Sequence, residues 1–169
     1  QLKELFHATT REGRARLVSV TGAGGIGKTR LAWEFLKYID GLLDSVWWHT
    51  GRSPAYGDGV TFWALGEMVR GRVGLVETDD EPTTRARVAA GVREHVTDEA
   101  EAAWIESALL ALLGMETGIP SAQLFAAWRT FFERLAATSP VVMVFEDLHH
   151  ADPGLLDFID HLMEWSRNA

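Results

Sequence analysis

The sequence predicts a three-layer α/β fold, with a mostly parallel sheet, helices on both faces and extra helices between the second and third strands. Three observations predict it. A short β-branched run, residues 17–21, passes through a glycine-rich turn into a stretch with Leu31, Ala32, Phe35, Leu36 and Ile39 at helical spacing. Two further apolar runs, residues 45–50 and 141–146, read as strands. The interval between them is mostly helical in period. Strands alternating with helices pack as a parallel sheet covered by helices.

Each element follows in turn. Residues 2–11 carry Leu2, Leu5 and Phe6 at helical spacing and lead into the first strand, residues 16–21. In the second strand Trp47 and Trp48 point to opposite faces, so both faces are expected to be covered. Residues 51–59 hold three glycines and Pro54 and read as a loop. Residues 60–73 place Phe62, Leu65, Met68 and Val69 on one helical side. Helices are expected at 84–96, with Pro82 available to start one, and at 98–113. In the latter, Ile105, Leu109, Leu112 and Leu113 form the apolar stripe. Asp98, Glu99, Glu101 and Glu106 form the wet face, the first two favourable near the N-terminus, and Gly114 closes the helix. A further helix runs from Pro120 to about Ala137. Asp152 and Pro153 read as the N-cap and first residue of a last helix, 153–166.

The chemistry concentrates in the turn after the first strand. Gly22, Ala23, Gly24, Gly25, Ile26, Gly27, Lys28 and Thr29 spell G-x-x-x-x-G-K-[ST], the phosphate-binding P-loop. Glycines let successive N–H groups point inward at phosphate oxygens, and the following helix offers its positive end to the same anion. Lys28 reaches the β- and γ-phosphates, and the Thr29 hydroxyl ligates Mg²⁺. The competing reading, a glycine-rich turn before a helix, explains neither the lysine nor the threonine.

A second motif supports the first. The apolar run 141–145 ends in Glu146 and Asp147. A strand terminating in acids is how P-loop nucleoside triphosphatases hold Mg²⁺ and position a water. Parallel strands share one sheet edge at their ends, which would set these acids beside Lys28 and Thr29. His149 and His150 follow; with no cysteine and no spaced histidine pair, loop shaping is the better reading than a metal site.

Composition excludes other classes. The 169 residues carry 16 basic and 24 acidic side chains, a net charge of −8, which argues against direct nucleic-acid binding through a broad basic surface. Without cysteine there is no disulfide framework or thiolate metal site. No apolar run is long enough to span a membrane and no signal peptide opens the chain, so a cytoplasmic setting is the default. A GTPase is disfavoured because Asn168 is the only asparagine, leaving no guanine-reading Asn-Lys-x-Asp. The Leu-Ser-Gly-Gly-Gln signature of transporter ATPases is missing as well.

Residues 20–32, 51–63 and 144–153 together resemble the ATPase module of STAND-type signal-transduction NTPases. The likeness is to bacterial, often actinobacterial, regulators that join this module to cyclase-like or LuxR-type DNA-binding domains and to helical repeats. It implies an ASCE-type P-loop fold and an ATP-dependent conformational switch, with ATP and Mg²⁺ as cofactors. It implies catalytic roles for Lys28, Glu146 and Asp147, nucleotide binding by residues 22–29 with Arg30, and Mg²⁺ ligation by Thr29, Glu146 and Asp147. The metal position, commonly Asp, is here Glu146, so Asp147 shares or takes that role. The position of His150 is often Trp, and the Gly-Arg-x-x-Glu element expected before Leu2 is absent. Partners implied are ATP or ADP and the effector and helical-repeat domains of a longer chain.

The resemblance also implies a further strand between residues 17–21 and 141–146. No candidate lies between Asp152 and Ala169, so residues 1–169 are expected to be the N-terminal part of an incomplete ATPase domain. The open slot would then be filled by a second copy, closed by direct pairing of its flanking strands, or completed within a larger protein. Two alternatives to a hydrolysing switch stand beside it: a nucleotide-binding or scaffold module without turnover, and a small-molecule phosphotransferase, for which no acceptor site is visible.

Overall fold

The structure, a computed structural model, describes residues 1–42, 45–55 and 61–166. The elements run α1 (Leu2–Glu12), α2 (Lys28–Asp40), β1 (Trp47–Arg52), α3 (Trp63–Arg72), α4 (Glu81–Arg93), α5 (Glu99–Leu112), α6 (Ser121–Ala136), β2 (Val141–Glu146), a short 3₁₀ turn (Leu148–His150) and α7 (Pro153–Trp165). This is a mixed α/β fold with seven α-helices and a two-stranded parallel sheet among the described residues. Each helix lies where the apolar period placed it, with ends set by local chemistry. Asp80 accepts the Thr83 N–H at 2.9 Å and starts α4 at Glu81, three residues earlier than expected, with Pro82 in its first turn. Asp98 caps α5 through the Glu101 N–H at 2.8 Å, and Gly114 turns left-handed after it, at φ 79°.

The two strands pair in register from Trp47 opposite Val141 to Arg52 opposite Glu146. Gly51 and Arg52, assigned to a loop from the sequence, belong to β1. The reason is steric. A Cβ on Gly51 would stand 1.9 Å from the Ala64 carbonyl oxygen, so only glycine lets α3 sit down on the strand. The rest of the expected loop and the start of the helix placed at 60–73 include residues 56–60, which lie outside the described residues.

Both tryptophans find cover. Trp48 meets the Phe35 ring of α2 at 6.0 Å. Trp47, on the opposite face, packs against the core, between the Arg72 guanidinium at 4.0 Å and the His95 ring at 5.8 Å. The core is one cluster drawn from α3 to α7, with Leu65, Met68, Ile105, Leu109, Trp128, Phe131 and Phe158 almost fully buried. Trp128 is satisfied there by donating its indole N–H to the Ala108 carbonyl at 2.8 Å. Asp152 ties two helix starts together. One oxygen accepts the Leu155 N–H at 3.0 Å, capping α7, and the other accepts the Phe62 N–H at 2.9 Å, ahead of α3.

The expected first strand is corrected. Residues 16–21 form no ladder, and the direct pairing of residues 17–21 with 141–146 does not occur. The sheet among the described residues holds β1 and β2 alone, and residues 17–21 join neither. Leu17, Val18 and Val20 are accordingly 60%, 44% and 46% exposed. A strand is a property of the pair, and apolar pattern alone does not create one.

Two outcomes test this packing. Gly51→Ala should cost about 3 kcal/mol in urea unfolding, because helix backbone has to move to admit one methyl group. The second concerns His49, buried on β1 against Phe132 with its Nδ1 unpartnered. Burial, reinforced by the Arg72 charge, pushes its pKa down to about 4. The unfolded chain then binds the extra proton first. Stability is flat above about pH 6.5 and falls between there and pH 4, by up to about 3 kcal/mol from this group. A pH series of unfolding curves should show that slope, and His49→Gln should flatten it.

Candidate functional site

The glycine turn is built for close approach by an anion. Gly25 and Gly27 sit at φ 79° and 102°, conformations that side chains disfavour, and nothing lies within 4 Å of where a Cβ would stand on Gly24, Gly25 or Gly27. The Ala23 carbonyl accepts the Ile26 N–H at 3.4 Å and closes the turn. Gly27 is the N-cap of α2, so the first-turn N–H groups of that helix face the loop without intrahelical partners. Lys28 folds back over the turn, its ammonium donating to the Gly22 carbonyl at 2.8 Å and the Ala23 carbonyl at 3.0 Å. Thr29 is exposed on the first helical turn, and Arg30 lies 3.9 Å from Glu34 on the wet face. Open space, free N–H groups, a helix start and one ammonium fit a chain of phosphates.

The acids stand at the end of β2. Glu146 is its last residue, and Asp147 turns left-handed at φ 55°, one of two non-glycine residues with positive φ among those described. Such a conformation costs about 1 kcal/mol or more for a residue with a Cβ and collects at functional positions. Opposite them stands Arg52, the end of β1. Its Nη2 and Nε donate to one Glu146 oxygen at 2.8 and 3.2 Å, and Nε lies 3.5 Å from Asp147. The Arg52 backbone N–H donates to the Glu67 carboxylate of α3 at 2.7 Å. The Glu146 bond and charge, then Asp147, hold the guanidinium above its usual pKa. Three carboxylates, those of Glu146, Asp147 and Glu67, against one guanidinium leave the strand ends net negative. Carboxylate and hydroxyl oxygens are the hard donors Mg²⁺ accepts, usually one or two of them beside waters and substrate phosphates. Glu146 and Asp147 are donors of that kind at the strand end, although among the described residues no group of three or more His, Cys, Asp or Glu side chains is placed to hold a metal.

The fold brings Arg52 to the consecutive acids Glu146 and Asp147. Among the described residues, no hydrogen bond or ion pair joins them to Lys28, Thr29 or Arg30. The His149 and His150 rings lie 3.9 Å apart, tilted at 44°, within the 3₁₀ turn. Sequence reasoning missed Arg52, although a signal existed. A basic residue closing one strand faces an acid closing the next, provided β1 runs through Gly51.

The family model described as AAA ATPase domain matches residues 1–167. The chain belongs to that family. No curated protein and no solved structure matches it. An AAA ATPase domain is a P-loop, nucleotide-binding module, and the glycine turn before α2 is the part of this one that fits phosphate. No helix among the described residues is long and apolar enough to cross a membrane.

The strain at Asp147 is measurable. Asp147→Gly should leave stability unchanged or raise it by up to about 1 kcal/mol, whereas Asp147→Val should lower it by about 2 kcal/mol, because a β-branched residue resists positive φ. Thermal unfolding of the two variants checks this, and equal stability would deny the strain.

Proposed function

We propose that this domain binds Mg²⁺-ATP and hydrolyses it slowly, as a nucleotide-dependent conformational switch within a signal-transduction or transcriptional regulator. The observation that carries the reading is the open glycine turn running into α2, with Lys28 poised over it. In this reading residues 22–30 hold the phosphates, and Lys28 meets the β- and γ-phosphates. Thr29 and Glu146 ligate the metal, and Asp147 positions the attacking water. The metal supplies charge for the phosphoryl oxygens; the chain supplies the geometry. The STAND-like sequence pattern supports the switch role. Exposed Leu17, Val18 and Val20 support a three-layer sheet in which that stretch pairs with a further strand, from a second copy or elsewhere in a longer chain.

A second reading, nucleotide binding without turnover, is favoured by one observation: Arg52 already occupies the Glu146 carboxylate. Nucleotide titration and a turnover assay test both. Lys28→Ala should weaken triphosphate binding about tenfold more than diphosphate binding, since the lost ammonium mainly meets the terminal phosphates. Asp147→Asn should reduce hydrolysis while sparing binding, and Glu146→Gln should impair the Mg²⁺-dependent part of binding. Equal losses for both nucleotides in Lys28→Ala would remove that residue from its role. Binding with no hydrolysis in the parent chain would select the second reading.

A further inference from the structure

We propose that Arg52 is a positioning residue that keeps divalent metal off the Glu146–Asp147 pair, so that the acids accept an ion only when its guanidinium swings away. The inference rests on the nucleotide-site reading for the identity of the ion, and on the geometry alone for the competition. Arg52 places both Nη2 and Nε on a single Glu146 oxygen and lies within ion-pair distance of Asp147 as well. A cation ligated by either carboxylate would need that same volume and charge. Glu146 is the more enclosed acid, its side chain 19% exposed against 45% for Asp147, and the guanidinium sits on one of its oxygens.

The device is built to release. The Arg52 side chain is 58% exposed, and an ion pair in that setting is weak because water screens both charges. A divalent ion brings twice the charge to the same oxygens and displaces it readily. Only side-chain torsions need to change, because the Arg52 backbone is pinned by its N–H to Glu67 on α3. The register adds the remaining constraint. Arg52 and Glu146 close their strands side by side, so the guanidinium is held at the acids without a loop to carry it.

The test uses the nucleotide-free 169-residue chain and Mn²⁺ as a spectroscopic substitute for Mg²⁺, with affinity read by electron paramagnetic resonance and Mg²⁺ competition. Arg52→Gln should tighten Mn²⁺ binding by up to about fivefold, equivalent to about 1 kcal/mol. Arg52→Lys, which keeps the charge but lacks the planar pair of N–H groups that meets one Glu146 oxygen, should give a smaller gain. Adding Glu146→Gln to Arg52→Gln should abolish the gain. Equal affinity in the parent and both Arg52 variants, absence of Mn²⁺ binding in all of them, or a gain that survives Glu146→Gln would each overturn the proposal. Fluorescent-ATP titration of the same proteins separates the two readings. An Arg52-dependent metal affinity without nucleotide binding would sink the nucleotide site and leave the competition standing.

Discussion

The seat of α3 on Gly51 is the constraint on which the rest of the arrangement depends. The strand offers no side chain at that point, so helix backbone and strand backbone meet directly. That contact extends β1 through Arg52, which puts Arg52 opposite Glu146 in the ladder. It also brings Glu67 within reach of the Arg52 N–H. Trp47 and His49, on the same face of β1 as Gly51, turn inward with it: Trp47 packs against the core beside Arg72, and His49 is buried. A missing methyl group thus determines where a carboxylate, a guanidinium and a buried imidazole stand.

The helices were legible in the sequence because their signals are local. Asp98, Asp152 and Gly114 mark helix boundaries within a few residues of the groups they satisfy. Strand β2 was legible because five apolar residues in a row have few other uses. The two misreadings share a cause. Whether residues 17–21 form a strand depends on a neighbour, and whether Gly51 is loop or strand depends on the approach of Ala64. Neither partner is visible in the residues themselves. Periodicity reports how a segment meets an apolar surface, and it does not report which segment supplies it.

The candidate site divides along the same line. The glycine turn is legible because its function lies in its own backbone: left-handed glycines, a helix start and a lysine long enough to reach back. Its contribution is written within eight consecutive residues. The acid site is composed across strands. Glu146 and Asp147 stand out at the end of an apolar run, while the guanidinium that balances them comes from a position with no local distinction. Arg52 becomes meaningful only through register.

That register has a kinetic meaning. Arg52 and Glu146 are 94 residues apart in the chain, and most of the helical core lies between them. α4 with α5, and α5 with α6, are neighbours in sequence and in space, so they gain contacts after closing only short loops. The parallel ladder rewards the chain only after its longest closure, and the entropy of that closure falls on the same few hydrogen bonds that hold the acids and the guanidinium together. The charged end of the sheet therefore forms only with the longest closure, even though α3, its neighbour in sequence, already seats β1.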